Sequence, residues 1–301
     1  MNQNPKVSVV IPVFNDFIRL DKCLSSLADQ TYKGEVEIIV ADNNSTQSPQ
    51  AVSKKYPFAK FITVEKPGSY SARNAALSLC SGNVIAFTDS DCIPDANWIK
   101  AGVECLHDEN ADLVGGNVDV FIEGDNAAPS WAEAFELLLA FPQKENAALN
   151  RSVTANLFIT AEARVKTGFF DEDTYSGADY DFSKRATTLG FKLVFGEDAI
   201  VKHPARPSLK LLRKKARRVV GGFYALRNAN EAMSKQFSFL TLVKDAVPPF
   251  QAITTVVKTR KAKGVSFIDG VKAILVAWHN KLYRLIIKLG FLLGFLSQTD
   301  R

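Results

Sequence analysis

Two carboxylates one residue apart, Asp89 and Asp91, close the apolar run Val84–Thr88. Five mostly apolar residues predict a buried strand, too short for an ordinary helix. Acids are costly to enclose unpaired. The strand must therefore end at a sheet edge, and open α/β sheets hold their ligands at the carboxyl edge. An Asp-x-Asp placed there offers hard oxygen ligands to a divalent cation and a phosphate. The competing reading is a solvated turn, where acids are common.

Other runs supply the sheet that would position this pair. Lys6–Pro12 is β-branched and apolar, as a buried parallel strand is. Asn15 or Asp16 then caps a helix whose apolar face is Leu20, Leu24 and Leu27. Val36–Val40 is a second strand running into Asp42, residues 51–56 a short helix, and Phe61–Val64 a third strand. A helix opens at Gly68-Ser69 and runs to Leu79, with Gly82 as its stop. Strand alternating with helix at this spacing predicts a doubly wound, mainly parallel α/β sheet. Asp42 and Asp89 both follow strand ends, so they share one edge. Further on, 97–105 and 130–141 read as helices, 113–121 and 156–160 as strands, and 171–181 as an acidic, Gly-containing loop entering a helix. Short strands at 192–195 and 199–201 lead to His203-Pro204.

The bulk numbers fit one large domain with an appendage in 301 residues. Four cysteines without CxxC spacing suit a reducing compartment. No basic segment followed by a long apolar run opens the chain, so no signal peptide is expected. The net charge of +5 conceals an asymmetry: residues 204–301 hold 19 Lys+Arg against 4 Asp+Glu, and the first 203 hold 18 against 28. A basic tail on an acidic body calls for an anionic partner.

Within the tail, Lys210, Arg213, Lys214, Arg217 and Arg218 fall at helical spacing and form one basic stripe. A second cluster is Lys258, Arg260, Lys261 and Lys263. Residues 267–296 are rich in Leu, Ile, Val and Phe, but no uncharged run in them reaches the roughly 20 residues of a spanning helix. Lys281, Arg284 and Lys288 recur along one face. That pattern predicts a basic amphipathic helical extension lying in a membrane interface; the alternative is a helical cap packed on the body. No aromatic–basic interleaving points to nucleic acid.

Five features succeed one another in order: Val9–Asn15 with Pro12; Asp42 with Asn43, Asn44, Ser45 and Thr46; Gly68 to Asn74 with Arg73; Asp89-Ser90-Asp91; and Gly177-Ala178-Asp179-Tyr180-Asp181, with His203 beyond. Together they resemble the inverting family-2 glycosyltransferases of GT-A fold, over roughly residues 6–204. The resemblance implies a catalytic domain of residues 1–204, with a nucleotide-sugar half to about 95 and an acceptor half beyond it. The helical membrane-associating extension would occupy 205–301.

The resemblance also implies roles. Pro12, Val13, Asn15, Asp42 and Asn44 would line the base and ribose, and Arg73 would sit near the diphosphate. Asp91 would hold Mn²⁺ or Mg²⁺, with Asp89 in the ribose side and metal shell and His203 as a further ligand. Asp179 would be the base that takes the acceptor's proton; Asp181 is a neighbour one could mistake for it. Lys210, Arg213, Lys214 and Arg217 would face acceptor or membrane. The chain departs from the family at Asn43 and Asn44, at Ala178 where a Glu is usual, and at Cys92 where another acid is frequent. The Gln-x-x-Arg-Trp signature of processive synthases is absent. The expected function is non-processive transfer from a nucleoside-diphosphate sugar, UDP-type favoured, to a lipid-linked or saccharide acceptor. The expected place is the cytoplasmic inner face of a membrane. The alternatives are a non-catalytic sugar-nucleotide-binding or scaffold protein and a nucleotidyltransferase, although Pro12–Asp16 holds no Gly, Lys or Arg for a phosphate loop. A dehydrogenase is excluded by the lack of G-x-G-x-x-G after the first strand.

Overall fold

The computed structural model describes residues 4–124, 128–174, 176–228 and 230–296. Packing divides the chain into two compact units. One comprises Met1–Asp119, Pro142–Asp173 and Ala178–His203; the other comprises Val120–Phe141, Thr174–Gly177 and Pro204–Arg301.

The first unit begins with β1 (Val7–Val13), α1 (Phe17–Ala28), β2 (Val36–Asp42), α2 (Gln50–Lys55), β3 (Ala59–Thr63), α3 (Ser69–Leu77) and β4 (Val84–Thr88). All residues of β1 and β4 are buried, as strands covered on both faces must be. The chain continues through β5 (Ile93–Pro94), α4 (Trp98–Asp108) and β6 (Leu113–Phe121). Then come α5 (Trp131–Leu139), α6 (Gln143–Ala148), β7 (Asn156–Thr160), α7 (Ala161–Thr167), α8 (Ala178–Thr188) and β8 (Leu193–Pro204). The eight strands form one sheet in the order β3-β2-β1-β4-β7-β6-β8-β5. β1, β2, β3 and β4 pair in parallel, and β7 runs antiparallel to both β4 and β6. The mainly parallel sheet is as the sequence reads; the reversed β7 makes it mixed. The residues read as two short strands before His203 form the single strand β8. Asp16 sits at the N-cap of α1 without a side-chain capping bond, and its carboxylate instead meets Arg19 at 3.3 Å.

A buried asparagine ties the antiparallel part together. Asn156 accepts from Trp98 Nε1 at 2.9 Å and donates to the carbonyls of Asn117 and Ala199, both at 2.7 Å. Its amide occupies space left by Gly116, where a Cβ would approach it to 2.4 Å.

The second unit adds α9 (Leu209–Leu226), α10 (Glu231–Lys235), α11 (Phe239–Ala246), α12 (Phe250–Thr259) and α13 (Phe267–Leu292). Ala132, Leu212 and Val276 form one small core, and Val220, Ile287 and Phe291 another. One residue expected on a basic stripe, Lys288, turns inward instead, and so does Lys215 beside the other stripe. Lys288 is fully enclosed and donates to Asp245 at 2.7 Å. Lys215, one residue past the stripe's Lys214, reaches the buried Glu136 at 3.0 Å, and Arg206 binds the same carboxylate at 2.8 Å. Burial, aided by Arg206, pushes the Lys215 amine down to about 8. The physical reason is burial with a partner: an enclosed ammonium needs a carboxylate, and Glu136 and Asp245 are far away in sequence.

Replacing Asn156 with Ala removes the acceptor of a buried indole N–H and the donor to two strand carbonyls. At about 1–3 kcal/mol for each buried group left without a partner, Asn156→Ala should lose about 3 kcal/mol or more of stability. Urea unfolding measures it; a loss below about 1 kcal/mol would show that the network is dispensable.

Candidate active site

α3 places the central groups. Its entry residue Gly68 has φ +128°, a conformation favouring glycine. The Gly68 amide donates to Asn43 Oδ1 at 2.7 Å, and Asn43 Nδ2 donates to the carbonyls of Val64 (3.1 Å) and Lys66 (2.7 Å). One side chain just past β2 thus holds the whole lead-in to α3. Ser71 tightens the first turn by donating to the carbonyls of Lys66 and Gly68, both at 2.8 Å.

Tyr70 and Arg73 then lie three residues apart, neighbours on one helix face. Arg73 is 4% exposed; its Nη2 donates to Asp89 Oδ1 and its Nη1 to the Ser69 carbonyl at 3.2 Å. Arg73 is thus committed to the first acid of the Asp-x-Asp. Tyr70 Oη donates to Asp179 Oδ1 at 3.1 Å. Asp179 is the second residue of α8 and half-buried. Burial raises its carboxyl above the ordinary range, against the opposing pull of the Tyr180 amide, the Arg73 charge and the Tyr70 hydroxyl. Asp181 is engaged elsewhere, by Arg185 Nε at 2.9 Å.

The β1 and β2 ends form the adjoining part. Pro12 and Val13 stand in register with Ala41 and Asp42. Asn15 (φ 52°) and Asn44 (φ 57°) both take the left-handed conformation that Asn tolerates. Asn15 Oδ1 accepts from the Thr46 amide at 2.9 Å and the Gln47 amide at 3.3 Å, and the Asn15 amide donates to Ser45 Oγ at 2.8 Å. Asp42 is buried and accepts from the Ser45 amide at 3.1 Å, a turn-capping contact. Pro12, Val13, Asn15, Asp42 and Asn44 thus meet at one end of the sheet.

His203 Nε2 lies 3.6 Å from Asp91 Oδ2. Cys92 is fully buried, and burial pushes its thiol, like that of Cys23, far up. Neither offers a thiolate. Among the described residues no three His, Cys, Asp or Glu side chains converge on one ion. Two half-exposed carboxylates and an imidazole suit Mn²⁺ or Mg²⁺ only as part of a coordination shell, completed by oxygens from a ligand such as a diphosphate.

Lys210, Arg213, Lys214 and Arg217 belong to the helical unit. The first three are exposed and Arg217 is half-buried. Arg213 Nε donates to His279 Nε2 at 3.1 Å. Tyr70 and Asn43 carry no assigned role in the sequence reading, though both stand inside quoted motifs: a Tyr in a first helical turn reads as core, and an Asn after a strand as a turn former.

The profile of Glycosyl transferase family 2 matches residues 8–158, and that of Glycosyl transferase family group 2 matches residues 84–297. Glycosyltransferase AglE of Haloferax volcanii is 36% identical over 220 residues, covering 71% of each chain. The pre-mycofactocin glycosyltransferase of Mycobacterium tuberculosis is 28% identical over 212 residues, 68% of this chain and 44% of that longer one. Among solved structures, the mannosyltransferase PcManGT of Pyrobaculum calidifontis, in complex with GDP-Man and Mn²⁺, superposes with TM-score 0.66 at 17% identity, covering 97% of this chain and 88% of that one. S. aureus TarS residues 1–349 with UDP-GlcNAc superposes with TM-score 0.57 at 17% identity, covering 96% and 92%. These likenesses set aside the nucleotidyltransferase and non-catalytic readings. The chain belongs to glycosyltransferase family 2 and is an enzyme of glycosyl transfer.

Proposed function

We propose that this enzyme moves a sugar from a nucleoside-diphosphate sugar to a lipid-linked or polysaccharide acceptor, one sugar per encounter, with inversion at the anomeric carbon. The observation that carries the reading is Asp179, a carboxylate raised by burial yet held by Tyr70 beside the Arg73–Asp89 pair. A base must be ionised when the acceptor arrives and basic enough to take its proton. Asp179 accepts that proton as the acceptor oxygen attacks the anomeric carbon and the bond to the diphosphate breaks. Pro12, Val13, Asn15, Asp42 and Asn44 hold base and ribose, with a UDP donor favoured. Arg73 pairs with Asp89. A divalent ion at Asp91, with Asp89 and His203 beside it, would neutralise charge growing on the departing diphosphate. The nucleotide-sugar complexes of PcManGT and TarS support a donor of this class.

Asp179→Asn should lower nucleoside diphosphate release from the donor by about 10²–10⁴-fold. Folding raises this carboxyl, so its ionised form costs stability above that raised pKa, and the cost is relieved as pH falls through it. The Asn variant should therefore unfold at an equal or higher temperature. Asp91→Ala should abolish the Mn²⁺-dependent part of the thermal shift given by UDP or GDP. Wild-type turnover in both variants would refute the mechanism.

Tyr70→Phe removes a donor that favours the carboxylate. The acid limb of the turnover–pH profile, where activity disappears as Asp179 protonates, should move to higher pH. An unmoved limb would sever Tyr70 from the base.

We also propose that the helical unit rests on the inner, cytoplasmic face of a membrane. No helix of the described residues is long and apolar enough to cross one. α13 nevertheless exposes Ile268, Val271, Leu275, Trp278, Leu282, Ile286 and Leu289, three or four residues apart along its length. α11 buries none of its residues, and Phe239 is 81% exposed. The exposed cations Lys210, Arg213 and Lys214 suit anionic headgroups. The protein should co-sediment with phosphatidylglycerol vesicles, and changing Phe239, Leu240 and Phe250 together to Ser should release it without loss of nucleotide binding. Equal sedimentation of both proteins would reject this surface.

A further inference from the structure

The residues just before the base pack with a helix that the chemistry above does not use. Thr174–Gly177 belongs to the helical unit, and the chain passes from it straight into Ala178 and Asp179 of α8. Within that unit the strap meets α9 at glycines. A Cβ at Gly222 would fall 2.0 Å from the carbonyl oxygen of Ser176 and 2.8 Å from its carbon. A Cβ on Gly177, which has φ +90°, would fall 3.1 Å from the Phe223 ring and 3.6 Å from Leu226 Cδ1. Thr174 Oγ1 donates to the same Ser176 carbonyl at 2.9 Å.

Gly221, the preceding residue of α9, is different. A Cβ there would meet only Phe291, at 3.5 Å, an ordinary contact. Glycine is a poor helix former, and two in succession weaken a helix interior. Space accounts for the second of them: the obstacle at Gly222 is backbone, which cannot swing aside as a side chain does.

We propose that Gly222 is a positioning residue for Asp179: by letting the α9 backbone touch Ser176, it sets where α8 begins and hence where the carboxylate stands. The proposal rests on the reading of Asp179 as the base. An added methyl must displace the strap, and the first turn of α8 must move with it. A misplacement of about 1 Å in a reacting group costs on the order of 10²-fold in rate. The groups facing Asp179 are Tyr70, Arg73 and the Tyr180 amide. A carboxylate moved from this setting towards water loses the burial that raises it.

The adjacent glycines provide the comparison. Gly221→Ala and Gly222→Ala both improve helix propensity, and only the second meets backbone. The readouts are helical circular dichroism, the Mn²⁺-dependent thermal shift with UDP and GDP, and nucleoside diphosphate release from the matching UDP- or GDP-sugar across pH. Gly221→Ala should behave as the parent. Gly222→Ala should keep its nucleotide shift, lose about 10²-fold in kcat, and have its acid limb at lower pH. Turnover of Gly222→Ala within about twofold of the parent, or a loss that merely tracks nucleotide affinity, overturns the proposal. Should Gly222→Ala fail to fold, Phe223→Leu loosens the seat of Gly177 without added bulk. It must then lower kcat at unchanged nucleotide affinity, and parental kcat overturns the proposal. Asp179→Asn separates the two ideas. If it stays active, the base reading itself fails. If it is inactive while Gly222→Ala turns over normally, only the positioning role fails.

Discussion

A carboxylate at the end of a fully buried strand has to be matched by a cation, and here Arg73 matches Asp89. The pair is asymmetric: the Arg73 side chain is 4% exposed, and that of Asp89 is 32% exposed. Asp89 could rehydrate if its partner were lost, whereas an enclosed guanidinium without a carboxylate would be left uncompensated. The pair therefore holds Arg73 in place more than it holds Asp89. Arg73 in turn reaches beyond the pair. Its charge also favours ionised Asp179, so one guanidinium acts on two acids assigned to different steps. Its position depends on α3, and the entry of α3 depends on the three hydrogen bonds of Asn43. Asn43, Gly68, Arg73 and Asp89 form one chain of dependence across the ends of β2 and β4.

The acids of the candidate site are distinguished by surroundings rather than by residue type. Asp89 has a guanidinium against it. Asp179 has a hydroxyl, an amide and burial, and burial prevails. In the proposed mechanism that difference separates an acid paired with a guanidinium from one poised to gain a proton. Cys92 adds to the contrast. A third acid in its place would need its own cation, and the enclosed thiol needs none, which leaves the half-exposed Asp91 and the buried His203 as the donors on that side.

Much of this was legible before the structure, and the reason is periodicity. The runs 6–12, 36–40 and 84–88 are largely apolar and short, and Asn15, Asp42 and Asp89 lie within three residues of their ends, so strands, edge and acids could be read together. Direction could not be read: β7 has the same apolar character as β4 and runs the other way, because direction depends on the connections and not on residue type. Partners were also out of reach. Lys215 and Lys288 sit among exposed cations in sequence, and only Glu136 and Asp245, 79 and 43 residues away, turn them inward. Tyr70 was missed for a related reason: its ring is core and only its hydroxyl is chemistry, and the contact spans 109 residues.

The helical unit presents an energetic contradiction in water. An α13 of 26 residues is about 39 Å long at 1.5 Å per residue, and an apolar stripe runs that length in solvent. Large exposed patches of this kind mark surfaces that meet something else. The same helix buries Ala273, Val276, Ala277, Ile287 and Phe291 on its other side, so its fold does not require the stripe. Two opposed apolar faces on one helix, one with a protein core and one without, leave the second to a partner that is itself apolar. With exposed Lys and Arg on α9 of the same unit, the anionic lipid surface proposed above would answer both features.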